Sequence, residues 1–255
     1  MILLARAVFG PFAWLMLAAA VIPTLVLLLV TPTLGARRRV AHCGARAFFL
    51  LIGSPVRVVG ARHLPDGPCV VVANHASYLD GIILKAALPP KFTFLIKSGL
   101  TAVPLAGFLL RRIGSAFVDR EDESHRLRAG RRLLKAAMRG ESLAFFPEGM
   151  FDGKPGLKPF LPGAFAAAWR GRLPVVPVVI GGSRHMLPAE VWLCAPGTLS
   201  VTICAPIDSG AQGSVSELEA VARQHMLEHL GEPDLGGEKQ DSVEAEQEPG
   251  GAKQR

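Results

Sequence analysis

The chain has 255 residues, half of them hydrophobic and 19% charged, with a net charge of +7. That length builds one sizeable core with short appendages, and so apolar a composition brings the membrane in as a partner. The positive excess suits an anionic membrane surface or phosphorylated substrates, whereas one tyrosine and no recognisable binding motif exclude nucleic acid.

Phe12 to Val30 reads FAWLMLAAAVIPTLVLLLV, uncharged and about as long as a bilayer-spanning helix requires. The apolar stretch starts near Ile2 and is interrupted by Pro11 and Pro23, so a kinked span and a shallow hairpin dipping into one leaflet are both open. Arg6 is its one early charge and no small-residue cleavage site precedes the basic cluster, so an anchor over residues 1–36 is expected rather than a cleaved leader. Arg37, Arg38, Arg39, Arg46 and Arg57 follow closely, and cations beside a membrane segment favour the cytoplasmic side and anionic headgroups. These residues place the remainder on the cytoplasmic face of an inner membrane.

From Ser54 to Ile207 short β-rich runs alternate with helical patterns. The runs at 55–60, 69–73, 92–96, 116–119, 142–146, 175–180 and 199–204 are predicted strands, with helices near 80–88, 103–113, 124–139 and 163–170. The alternation predicts an α/β fold over residues 37–230, a mostly parallel central sheet of about seven strands flanked by helices. Val103 to Gly114 joins an apolar stretch to Arg111 and Arg112, which suits either a helix at the membrane interface or a core helix with a charged end. Cys43, Cys69, Cys194 and Cys204 lie far apart without a CxxC pair, so neither a zinc site nor a disulfide framework is indicated. Residues 231–255 lack aromatic side chains and carry seven acidic against three basic residues, which predicts a disordered acidic tail.

In open α/β sheets, sites form beyond the carboxyl ends of strands. His75 stands immediately past such an end in VVVANHASYLDG, and Asp80, five residues on, falls in the first turn of the next helix. A carboxylate bonded to one ring nitrogen fixes the tautomer and leaves the other nitrogen free to take a proton from a hydroxyl. Ser77 lies between them, but the chain has no GxSxG elbow, so the nucleophile is read as the substrate's own. In a chain of seven histidines that spacing alone is weak evidence. FFPEG, Phe145 to Gly149, adds a second strand end, where a glycine admits a ligand close to the backbone and Glu148 can bond a hydroxyl or a cation.

Taken in order, these segments resemble the glycerolipid acyltransferase family, whose best-known members convert lysophosphatidic acid to phosphatidic acid. NHASYLD is similar to its first block, GSAFVDR at 114–120 to its second, FPEG at 146–149 to its third and VPVVI at 176–180 to its fourth, a likeness spanning about Val56 to Ile207. The resemblance implies that His75, oriented by Asp80, deprotonates the free glycerol hydroxyl of a lysophospholipid, which then attacks the thioester of acyl-CoA or acyl-carrier protein. It implies no metal and no bound cofactor. It implies further that Arg120 binds the phosphate, that Glu148 and Gly149 contact the glycerol or phosphate region, and that Lys97 adds charge there. Backbone amides near Gly149 and the side chain of Asn74 are the candidate oxyanion donors.

The family's third block continues with threonine and arginine, whereas Met150, Phe151 and Asp152 stand here. Either Lys154 and Lys158 of the same loop replace the missing cation, or the acceptor carries a larger, zwitterionic or amino headgroup. Expected partners are thus a lysophospholipid, acyl-CoA or acyl-carrier protein, and membrane lipids. A membrane-tethered lipid-binding protein without turnover and a lipid or thioester hydrolase are the competing readings.

Overall fold

Seven strands form in chain order: β1 (Val56–Val59), β2 (Val70–Ala73), β3 (Thr93–Lys97), β4 (Ala116–Val118), β5 (Leu143–Phe145), β6 (Val175–Gly181) and β7 (Leu199–Ile203). In this computed structural model, which describes residues 2–118 and 123–236, each strand starts and stops within one residue of the run that predicted it. They make one sheet in the order β1-β7-β6-β2-β5-β3-β4. Every pairing is parallel except β6 with β7, so β1 and β7 run against the other five.

The near-continuous apolar runs follow from burial on both faces. All four residues of β2 are buried, Val71 and Ala73 entering one core while Val70 and Val72 enter the other. On the first face pack α1 (Ile2–Val30), α2 (Leu34–Leu51) and α3 (Asp80–Ala87), supplying Phe48, Phe49, Ile83 and Leu84. On the second pack α5 (Glu123–Met138), α6 (Gly163–Gly171) and α8 (Val215–Leu230), supplying Leu133, Phe165, Leu218 and Met226. The short α4 (Pro104–Arg112) and α7 (Ser183–Met186) complete the helices.

Besides the single-turn α7, two long helices were not anticipated. The α8 start carries a legible signal, because the Ser214 hydroxyl accepts the Glu217 N–H at 3.1 Å and Glu217 reaches back to the Gly213 N–H at 2.8 Å. The α2 start is capped by Thr33, whose hydroxyl accepts the Ala36 N–H. The cations of α2 are not all headgroup ligands: the Arg38 guanidinium donates to the Ile113 and Lys91 carbonyls and the Thr93 hydroxyl, so it is a structural brace.

Helix α1 stays continuous through Pro11 and Pro23 and is apolar enough over Leu3–Val30 to cross a membrane. It nevertheless lies on the body. Ala13 and Ala20 enter the first core, and Arg112 of α4 donates to the Leu28 carbonyl at 2.6 Å. Its other side, including Leu4, Leu15, Ile22 and Leu29, remains exposed. At the far end, residues 231–236, read from sequence as the start of the tail, are held against the body: Glu232 pairs with Arg184 at 2.9 Å and Asp234 with Arg223. The rest of that tail lies outside the described residues.

Candidate active site

The site is assembled by strand register. Parallel pairing sets Val70 opposite Leu143 and Val72 opposite Phe145, an offset of 73 residues, and the same offset carried past both strand ends brings His75 beside Glu148. The His75 N–H donates to Glu148 Oε1 at 2.6 Å, and the Lys158 N–H donates to Glu148 Oε2 at 2.9 Å. Glu148 therefore ties the two loops together. A slip of one residue would turn Phe145 and its neighbours to the wrong face and separate this contact.

Asp80 is fully buried at the first turn of α3, where the helix's N-terminal dipole favours a carboxylate. Its Oδ2 accepts three hydrogen bonds, from the Ala76 N–H at 2.6 Å, the Ser77 N–H at 2.7 Å and His75 Nδ1–H at 2.9 Å. The bond assigns the proton of the neutral ring to Nδ1 and leaves Nε2 as the basic nitrogen. The imidazole stacks on Phe146 with centroids 4.3 Å apart, and meets Phe151 edge-on at 4.5 Å. Its side chain stays 18% exposed, so a hydroxyl can reach it. The Ser77 hydroxyl is buried and donates to the Leu187 carbonyl at 2.6 Å, so it is committed to the fold and not poised as a nucleophile.

Asn74 does not aim its carboxamide at a substrate. Its Nδ2 donates to the Ile180 carbonyl and its Oδ1 accepts the Ile180 N–H at 2.7 Å, so it locks the end of β2 to β6. Gly149 adopts a left-handed φ of 84°, which favours glycine, and its N–H donates to the Phe146 carbonyl to close the turn. The Asn74 carboxamide and the Gly149 N–H are thus engaged in this conformation. Lys97 ends β3, one strand beyond β5, and is exposed. Arg120 lies outside the described residues.

One of the two loop cations is engaged as well, and the other lends only its backbone. Lys158 Nζ pairs with the Asp152 carboxylate at 2.5 Å, a bond that holds Asp152 below its ordinary range. The Lys154 N–H donates to Asp152 Oδ1 at 2.9 Å. Asp152, which stands near where the family has arginine, thus takes up the charge expected to meet a phosphate. Sequence reasoning passed over the aromatic wall beside His75, in which Tyr78 meets Phe151 edge-on at 4.8 Å and stacks on Trp192 at 6.0 Å. It also missed Arg184, which joins the loop to Glu232 and to the Lys154 carbonyl. Aromatic spacing along the chain carries no hint of such a cluster, since its members come from three separate loops.

Burial pushes Glu148 above the ordinary carboxyl value of 4.5, opposed by the N–H groups of Lys158 and His75. The native carboxyl therefore binds a proton at higher pH than the unfolded one, and its contribution to stability falls as pH rises through the native value. In Glu148→Gln the stability curve above pH 4.5 is expected to be flatter. One N–H donor would also face the new amide's NH₂, at a cost of about 1–3 kcal/mol, measurable by thermal unfolding across a pH series.

Residues 55–181 match the profile described as Acyltransferase. The chain is 29% identical over 197 residues to the 1-acyl-sn-glycerol-3-phosphate acyltransferase of Saccharomyces cerevisiae, covering 75% of this chain and 65% of that one. It is 33% identical over 153 residues to a chloroplastic 1-acyl-sn-glycerol-3-phosphate acyltransferase of Brassica napus, covering 59% of this chain and 44% of that one. With the lyso-ornithine lipid O-acyltransferase of Pseudomonas aeruginosa it shares 38% identity over 133 residues, 52% of this chain and 50% of that one. The chain therefore spans 65% or less of the length of each of these three relatives. The crystal structure of the 1-acyl-sn-glycerophosphate acyltransferase PlsC from Thermotoga maritima shares the fold, with a TM-score of 0.76 and 20% identity over 98% of this chain and 100% of that one.

Proposed function

Because this chain belongs to the glycerolipid acyltransferase family, we propose that it moves a fatty acyl group from acyl-CoA or acyl-carrier protein to the free hydroxyl of a lysophospholipid, with lysophosphatidic acid yielding phosphatidic acid as the first reading. The observation that carries the proposal is the His75–Asp80 bond of 2.9 Å at the end of β2, with the other ring nitrogen unclaimed by any described bond.

In the reaction, His75 Nε2 takes the proton of the acceptor hydroxyl while Nδ1–H stays bonded to Asp80, whose charge stabilises the imidazolium. The alkoxide attacks the thioester carbonyl, the carbon–sulfur bond breaks, and the proton held on Nε2 passes to the departing thiolate. Atoms and charge balance without a metal or a bound cofactor, since the thioester supplies the activation and the protein positions both reactants. Glu148 holds the His75 backbone, and so the ring, in place. The exposed side of α1 supports attachment to a membrane, and the arginines that follow it favour a cytoplasmic catalytic face.

A second reading has a specific observation behind it. Among the described residues, Lys158 is bound to Asp152 and Phe151 lies against His75, which favours an amino or zwitterionic headgroup. The similarity to a lyso-ornithine lipid O-acyltransferase supports it. A panel of lyso-acceptors, including lysophosphatidate, lysophosphatidylcholine and a lyso-aminolipid, assayed with acyl-CoA and with acyl-carrier protein, separates the readings. Thiol release with a diacyl product is expected, and mass detection names the acceptor. Free fatty acid alone would indicate a hydrolase, and no thiol release with any pair would indicate a binding protein.

A further inference from the structure

Arg6 is the only charged residue of α1, and a guanidinium on a helix that enters a bilayer is costly unless its donors are met. They are met by the body. Arg6 Nη1 donates to the Leu193 carbonyl at 2.7 Å and Nη2 to the His185 carbonyl at 2.9 Å, the latter in the last turn of α7, where carbonyls have no partner within the helix. One turn on, Gly10 packs against Leu193 so closely that a Cβ there would lie 2.8 Å from the Leu193 Cβ. A further turn on, Trp14 Nε1 donates to the Trp192 carbonyl at 2.8 Å. Arg6, Gly10 and Trp14 are spaced four apart and so share one face of the helix.

The segment they grip, residues 185–193, is a wall of the site. The Trp192 ring lies nearly parallel to Tyr78, 13° from coplanar, and the aromatic contacts continue through Phe151 to His75. A second connection runs from the Leu187 carbonyl to the Ser77 hydroxyl, inside the HxxxxD loop. Trp192 is 71% exposed and Tyr78 53%, so this wall is open to an incoming lipid. The opposite side of α1 presents Leu4 and Leu15 outward.

We infer that α1 is a component of the acceptor site as well as an anchor, with Arg6 and Gly10 as positioning residues that hold the Trp192–Tyr78 wall where the lysolipid binds. The inference rests on the proposed transfer reaction. It places the acceptor's route along α1, from the bilayer to His75.

The test uses the full chain on vesicles of neutral and anionic phospholipid, with lysophosphatidate and acyl-CoA. Arg6→Ala is expected to raise the acceptor KM about tenfold, as loss of charge-assisted hydrogen bonds that act on binding alone would do, with kcat and donor KM little changed. Gly10→Ala should shift the acceptor KM in the same direction, and Arg6→Lys, which keeps one donor group, should recover part of the loss. Vesicle attachment is expected to be unchanged in all three. Attachment should instead weaken in Leu4→Ala combined with Leu15→Ala, at constant acceptor KM for the bound fraction. An acceptor KM within twofold of the parent in both Arg6→Ala and Gly10→Ala, or loss of attachment in step with it, would overturn the inference and leave α1 an anchor only. Amide exchange over residues 185–193 decides the question without turnover: it is expected to rise about tenfold in Arg6→Ala, and unchanged protection overturns the coupling. Absence of any acyl product from the parent protein would instead defeat the transfer reading and leave the exchange result standing.

Discussion

His75→Ala is expected to lower kcat about 10³-fold, the range supplied by a positioned general base, while leaving the fold intact. The reason lies in where the ring sits. It contributes no core packing of its own beyond its contacts with Phe146 and Phe151, and the bond that fastens the loop, His75 N–H to Glu148, belongs to the backbone and survives the substitution. Thiol release under saturating donor and acceptor measures the loss, with circular dichroism and thermal unfolding as the check on the fold. Turnover within a few-fold of the parent would remove His75 from the chemistry. A rise in the acceptor KM alone, with kcat unchanged, would recast it as a binding residue.

Asp80→Asn is expected to cost about 10²–10⁴ in kcat by a different route, since it preserves shape and removes charge. If the amide oxygen takes the place of Oδ2, it still accepts the Ala76 and Ser77 N–H groups, so the loop keeps its turn. The NH₂ then falls where Oδ1 now lies, a buried atom with no partner among the described residues. An unmet buried donor costs about 1–3 kcal/mol of stability, which an unfolding curve would register separately from the rate. With no carboxylate to stabilise the imidazolium, proton transfer slows while acceptor binding is retained. The expected pattern is therefore a low kcat at constant KM. A rate close to that of the parent would mean that the bond between these two residues serves the loop and not the reaction.

Both effects concern residues that the sequence brings close together, five positions apart at a strand end, and this is why they were legible. The seven strands were legible for a related reason: each is a short local run rich in apolar side chains, and in the central strands β2, β5 and β6 burial on both faces leaves its mark in composition. Helix α8 was overlooked although Ser214 and Glu217 form a recognisable cap, because its apolar periodicity is faint. Helix α2 was hidden behind its arginines. They read as a membrane flank, whereas Arg38 turns inward to three acceptors on residues 91, 93 and 113.

The expected phosphate ligands show where sequence reasoning stops. Lys154 and Lys158 were credible replacements for the missing arginine by charge and position alone. Only the fold reveals that Asp152 already holds Lys158, and that Asn74 is committed to Ile180. A side chain's availability depends on what else reaches it, and no property of the residue itself reports that.

By itself, the sequence determined the strand and turn positions, the apolar character of α1 and the His75–Asp80 pair, all of which follow from side chains within a turn or two of one another. The tertiary structure decided the register that sets Glu148 against His75, the commitment of Asn74 to Ile180, and the seating of α1 on residues 185–193. Local periodicity records whether a residue is buried. It does not record which distant segment buries it, because that choice is made by the packing of elements 73 to 187 residues apart.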